Sequence, residues 1–445
     1  MTKRTRRRLI ILLSLFLLLL IPWLIWFAVE LHRFNAALDD LRARSEPLSL
    51  SDLAPPPVPD HLNAAPLYLQ AFHLLDSSPE SDYAGLDTLL ADPAPLSPDR
   101  LDQARLLLDR FSQPLDLLHR ASFFPQCRFP IDYSLPPYTI RRPHVGPLLT
   151  SAQLLVLSSR VHLASNAPDL ALDDCSLGFR LADSLRDDPD LVALFTRVRV
   201  HRLFIQQAAL ILDSSDPSPP ALRSFLASLG DTSDRSHFVR ALKADRCRGI
   251  ALINDLFNNR ISPDDLRDMG LSHHPSLTRL GVFVARPLLM HDAVHYLRIM
   301  NDLDSCTSQP SHLCSAHWGS LFRIYYNRTG GFRLSHPVCS MLVPAVAHSV
   351  DGFDRDLALR SSAAQAVALR LYRLAHGAYP ASLSALVPDF LPALPLDPFS
   401  GDPFAYRLEP PGFLLYSLGS NLTDEGGVSD SSDHDTGDIT WRSSR

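Results

Sequence analysis

Residues 371–427, LYRLAHGAYPASLSALVPDFLPALPLDPFSGDPFAYRLEPPGFLLYSLGSNLTDEGG, decide how the chain is divided. A helical pattern ends near Ala375-His376-Gly377, where a glycine just past the last turn can take the left-handed conformation that closes a helix. Tyr379-Pro380 then turns the chain, because a proline disfavours helix at the residue before it. Leu383, Leu386 and Val387 recur at helical spacing and predict one short helix that stops at Pro388. Pro392, Pro395 and Pro398 keep the next segment extended, and Asp397-Pro398-Phe399-Ser400-Gly401-Asp402 predicts a turn. Two short strands, around Phe404–Leu408 and Phe413–Leu418, are separated by Pro410-Pro411-Gly412 and predict a β-hairpin.

Beyond Gly419 the chain turns acidic. Asp424, Glu425, Asp430, Asp433, Asp435 and Asp438 follow one another with no basic residue before Arg442, and Gly426-Gly427 lets the loop curl. Calcium takes six to eight oxygen ligands from carboxylates and carbonyls, which such a loop offers. The spacing is not that of an EF-hand, and composition alone describes a solvated acidic tail.

The order of motifs resembles the C-terminal half of the major pseudopilin of type II secretion systems. The matching residues are Tyr372, Gly377, Tyr379 and Pro380, then Asp397, Pro398, Gly401, Pro403 and Tyr406, then Tyr416-Ser417-Leu418-Gly419, and finally Asp438-Ile439 and Trp441. The resemblance covers the last sixth of the chain. It implies a small α+β module and a structural calcium in the acidic loop, with Asn421, Asp424, Asp430, Asp433, Asp435 and Asp438 as candidate ligands. Asn421 stands where that family usually has Asp, and would ligate through its carbonyl. A pilin's leader, processing glycine and Phe–Glu helix start are not found at this N-terminus, which speaks against a polymerised subunit. As a whole, the chain resembles uncharacterised membrane-anchored envelope proteins of planctomycete and verrucomicrobial type.

At the other end, Lys3, Arg4, Arg6, Arg7 and Arg8 precede an apolar run, Leu9–Val29, long enough to span about 30 Å of hydrocarbon as a helix. Trp23 and Trp26 lie near its far end, where interfacial aromatics belong. The basic tip, residues 1–8, predicts a cytoplasmic N-terminus with the bulk of the chain periplasmic, held in the inner membrane by residues 9–29. A cleaved signal peptide is the rival reading; the run is longer than an ordinary signal core, and no small-residue cleavage site follows Val29. Removing those five basic residues from the net charge of −6 leaves the exported part near −11, which argues against nucleic acid or anionic lipid as its partner.

Between the two ends, hydrophobic content of 46% and charged content of 20% describe a chain with an ample core. Residues 30–60 read as a helical stalk followed by a proline-rich linker. Residues 61–343 read as a helical body, with one helix to about Leu75, a loop to Leu96, a helix from Ser97 to about His119 bent at Pro114, and an irregular stretch at 123–143 that reads as a packed connection or a lid. Leucine stripes over 148–229 read as core of a helical array without a clean repeat period. Residues 344–445 read as a long helix leading into the terminal module. The expected fold is therefore mainly α: a transmembrane helix, a periplasmic helical array and a small C-terminal α+β module with a β-hairpin.

Other chemistry is sparse. His291 and His295 share a helix face, but no third ligand is in view, and His273, His274 and His336 read as loop residues without a constellation. Among six cysteines, Cys306 and Cys314 are the best placed for a disulfide; Cys127, Cys175, Cys247 and Cys339 read as small buried hydrophobes. Phosphate-binding glycine loops, nucleophile elbows and metalloprotease motifs are absent from the sequence. The expectation is a membrane-anchored structural or protein-interaction module with unidentified envelope proteins as partners. An accessory of a secretion or pilus-like system, and an exported hydrolase, are the alternatives.

Overall fold

The structure is a computed structural model that describes residues 3–92, 95–258, 260–261, 279–307, 312–314, 336–428 and 437–445. The described chain is mainly helical. Its helices are α1 (Lys3–Ala43), α2 (Ala65–Asp76), α3 (Glu80–Leu90), α4 (Pro98–Arg110), α5 (Ser112–Ala121), α6 (Val145–Ala164), α7 (Pro168–Asp183), α8 (Leu191–Ser214), α9 (Pro219–Ser228), α10 (Ser236–Phe257), α11 (Arg279–Thr307) and α12 (Pro337–His376). A small antiparallel sheet follows, in the order β1 (Ala405–Glu409), β2 (Gly412–Ser417), β3 (Ile439–Ser443).

Two apolar cores share one helix. Helices α2 to α9 enclose the first, together with the second half of α12 and the inner face of the sheet, which contributes Phe413, Leu415, Ile439 and Trp441. The second joins α10, α11 and the first half of α12 to the far half of α1, through Phe34, Leu38 and Leu41. Those three residues sit four and three apart, so they form one face of α1. The end of α1 is clamped as well. Glu46 accepts from Lys243 Nζ at 2.9 Å and from the fully buried Arg246 Nη2 at 2.6 Å. Residues 30–60, read above as stalk and linker, thus lie against the body; Leu50, in a 3-10 turn, is buried beside Tyr133, Ala244 and Cys247.

The apolar half of α1 behaves differently. Its hydrophobic window has no buried share, and the helix is long and apolar enough to cross a membrane, a property it shares with a signal sequence. Pro22 lies inside it without ending the helix.

The structure departs from the sequence reading in several places. The loop expected up to Leu96 contains α3, whose Leu86 and Leu89 are buried while Glu80 and Asp82 favour its N-terminus. The single bent helix over 97–119 is two helices parted at Phe111, with Pro114 in the first turn of α5, where its missing N–H costs nothing. The hairpin is present, and β3 joins it as a third strand from residues read as the end of an acidic tail. Cys306 and Cys314 are free thiols that hydrogen-bond each other. The 123–143 stretch is a packed connection: Phe129 stacks on His144 at 4.2 Å, and Tyr133 and Tyr138 donate to Asp188 and Asp255, each at 3.1 Å.

The motif residues of the terminal module tie it together, and its last residues tie it to the body. Gly377 closes α12 with φ +82° and donates its N–H to Arg373 O at 2.7 Å. Tyr379 Oη donates to Arg445 O at 3.0 Å, and Tyr406 Oη to Pro380 O at 2.9 Å. Asp397, buried, accepts from Phe399 N at 3.0 Å, Ser417 Oγ at 2.9 Å and Leu418 N at 3.1 Å, which fastens the 397–402 turn to the end of β2. Ser444 donates to Asp213 on α8 from its N at 2.7 Å and its Oγ at 2.9 Å, pinning the C-terminus to the first core.

Two substitutions test this packing. A Cβ on Gly178 of α7 would stand 2.0 Å from the Phe204 ring of α8, so Gly178→Ala is expected to lower stability by about 1–3 kcal/mol in a denaturant melt. Asp397→Ala strands three donors and is expected to cost about 2–4 kcal/mol. Its footprint in hydrogen exchange should fall on the terminal module, with α6 and α7 unchanged.

Candidate cation site in the acidic loop

The sheet positions the acidic loop by its two ends. Strand β2 delivers the chain to Gly419, and β3 receives it again at Asp438-Ile439. Two glycines fold the loop back, Gly426 at φ +74° and Gly427 at φ +76°. Gly427 is also confined by packing, since a Cβ there would lie 2.7 Å from a methyl of Leu414 on β2.

This return brings several oxygen-bearing side chains together. Asp424 Oδ1 accepts from Tyr416 Oη at 2.9 Å and from Gly426 N at 2.8 Å. Asn421 Oδ1 accepts from Thr423 N at 2.9 Å, while its Nδ2 donates to Glu425 Oε1 at 2.7 Å. Asp438 Oδ2 accepts from Gly427 N at 2.8 Å, and the residue is 2% exposed. Asp438 Oδ1 and Glu425 Oε2 are both buried, and neither has a hydrogen-bond partner among the described residues. Burial lifts the Asp438 carboxyl to about 6, helped by the neighbouring Glu425 and Asp424 carboxylates. Two carboxylates this close favour either a shared proton or a bound cation.

Of the candidate ligands, Asn421, Asp424 and Asp438 lie in this one loop. Asp430, Asp433 and Asp435 fall outside the described residues. Glu425, not among the candidate ligands read from the sequence, joins them here, although its place in the acidic run, beside Asp424 and before the glycine pair, was visible. The two stranded oxygens suit a hard cation. Among the described residues, however, no group of three or more His, Cys, Asp or Glu is arranged to hold a metal, and Asn421 Oδ1 is turned onto its own backbone.

A second polar cluster lies inside the body. His201 on α8 hydrogen-bonds Asp356 on α12 through Nδ1 at 3.0 Å, and Arg360 Nε donates to the other Asp356 oxygen at 2.9 Å. Arg197 Nη2 donates to Asp183 at 2.7 Å. Asp183, Arg197, His201 and Arg360, with His237, line a chamber of about 20 Å³, room for one water. Burial works against the charged form of Asp356, yet Arg360 and His201 hold its pKa well below the usual carboxylate range. Burial lowers the pKa of His201, and takes that of His237 down to about 3 with help from Arg197 and Arg360. Arg197 Nε and Nη1, Arg360 Nη2 and His201 Nε2 have no partner among the described residues, and a single water could accept from the guanidinium groups and donate to the imidazole. This cluster was not legible in the chain, because α8 and α12 are far apart in sequence.

His291 and His295 share their face with a third ring. His336 lies 6.1 Å from His291 and 5.0 Å from His295, so it is not the isolated loop residue expected, and His291 Nδ1 is 3.2 Å from Glu30 Oε1. His273 and His274 fall outside the described residues. No family model, curated protein or solved structure matches the chain.

The buried histidines set a pH dependence. His237 has a folded pKa near 3 against about 6.5 unfolded, so the unfolded chain takes up its proton first and stability is lost as the pH falls from about 6.5 toward 3. The loss from this residue is expected to be a few kcal/mol. Melting temperatures measured from neutral pH down to about 4 should fall more steeply for the natural chain than for His237→Gln.

Proposed function

We propose that this chain is a membrane-anchored extracytoplasmic protein whose helical body presents a surface to other envelope proteins, closed at its C-terminus by a pseudopilin-like module. In this reading Leu9–Val29 spans the inner membrane, residues 1–8 face the cytoplasm and the body lies in the periplasm. The observation that carries it is the division of α1: its apolar window has no buried residue, while its continuation supplies Phe34, Leu38 and Leu41 to a protein core. One helix with two environments is what a signal anchor needs, and its packed second half gives no reason for release by cleavage.

The acidic loop is the site we assign to calcium. Asn421, Asp424, Glu425 and Asp438 would hold it, with Asp430, Asp433 and Asp435 as the further carboxylates of the same loop. The cation would supply charge for the stranded oxygens of Glu425 and Asp438 and would fix β3 against β2. Its role here is structural.

Two measurements test this reading. After alkaline extraction of membranes, the full chain should stay in the pellet; release into the supernatant would favour a cleaved signal sequence. In detergent, calcium at a hundred times its dissociation constant should stabilise the full chain by about 2.7 kcal/mol relative to chelator. Asp438→Ala and Asp424→Ala should remove that gain, and a melt indifferent to calcium would reduce the loop to a solvated tail.

A further inference from the structure

We infer that the first turns of α11 sit in the bilayer beside α1, giving the body a second, lipid-facing contact. The inference rests on the reading of α1 as a membrane span.

Two contacts set the register between the helices. Trp23 Nε1 donates to Val284 O at 2.9 Å, and His291 Nδ1 lies 3.2 Å from Glu30 Oε1. Both join residues 261 apart in the chain, so α1 and α11 run parallel and in step. The Trp23 ring also packs on Phe283, centroid to centroid 5.6 Å. Trp23 lies six residues before Val29, the end of the apolar run, which is about 9 Å of helix rise. A bilayer that covers Leu9–Val29 therefore also reaches Phe283 and Val284.

The exposed surface agrees with that height. Phe283 is 53% exposed and Val284 61%, and at the same level of α1 Leu24 and Ile25 are 47% and 58% exposed. The apolar surface of α11 thus continues that of the span, and lipid is the medium that covers the span. Trp23 has its only polar group satisfied by α11, which lets the indole sit below the headgroups. By the same register Arg286 stands level with Ile25, inside the apolar run. Its guanidinium lies 5.5 Å from the Phe283 ring and donates to Phe257 O at 3.1 Å, so the charge is held by protein while the stem lies along apolar surface. Charge returns to the α1–α11 seam at Glu30, which pairs with Arg33 at 2.9 Å just past the apolar run. The partner assigned to this patch is the acyl and headgroup region of the leaflet nearest the body.

The test is the depth of a nitroxide label on the full chain in nanodiscs of phosphatidylethanolamine and phosphatidylglycerol. Val284→Cys is labelled in a Cys127→Ser background, the other native thiols being buried. Leu19→Cys, within the span, and Leu106→Cys, exposed on α4, serve as references. Collision with oxygen and with a water-soluble nickel chelate is measured for each. The label at 284 is expected to match the one at 19, rich in oxygen contact and severalfold poorer in nickel contact than the one at 106. A label at 284 that behaves like the one at 106, while the one at 19 stays in lipid, overturns this inference and leaves the anchor standing. A water-exposed label at 19 overturns both. Shielding from oxygen and nickel alike, with spin–spin broadening between labelled chains, assigns the patch to a second copy and also overturns the lipid contact.

Discussion

Everything in this structure leans on α12, a helix that is buried on all sides along residues 360–371. From Arg360 to Leu371 every side chain is shielded from water, and a helix of that kind has to be surrounded by other elements. Its sequence over that stretch, RSSAAQAVALRL, is mostly small, which lets α8, α9 and the sheet approach closely. Where larger polar groups occur they are anchored: Arg360 on Asp356 and the Leu229 carbonyl, Ser362 on the Ala358 carbonyl. The first half of the same helix closes the second core with α10, α11 and α1. The two cores and the terminal sheet therefore meet along one forty-residue element, and a change in its path would be felt in all three.

The parts of the fold that could be read from the chain are those specified locally. The end of α12 was legible because Gly377 supplies a backbone conformation few residues adopt. The hairpin was legible from two apolar runs around a proline-glycine break, and the apolar run of α1 from length alone. What could not be read depends on partners distant in sequence. Strand β3 has only five residues, and its inward Ile439 and Trp441 make a strand only because β2 is already there. Helix α3 carries Gly85 and several polar residues, and is fixed by Leu86 and Leu89 meeting the first core. The far half of α1 carried a visible stripe, Phe34, Leu38 and Leu41, but a stripe does not say which surface it meets.

The same division holds for the sites. The acidic loop was visible as composition, with Asn421 and Asp424 at its start and Asp438 at its return to β3. The contribution of Glu425 depends on how Gly426 and Gly427 reverse the loop, which composition does not state. The cluster of Arg197, His201, Asp356 and Arg360 was invisible, since each residue alone reads as an ordinary charge on an amphipathic helix. Burial and apposition make it a buried ionic network, in which loss of one partner is expected to be costly because it strands the other.

The central claim is that α1 is at once the membrane span and a structural part of the second core. Hydrogen exchange on the full chain in nanodiscs, compared with a chain beginning at Pro47, tests it most directly. The account expects the shortened chain to lose protection in α10, α11 and the first half of α12 while α6 and α7 keep theirs. Unchanged protection throughout would mean that α1 is a removable tether, and would contradict the account.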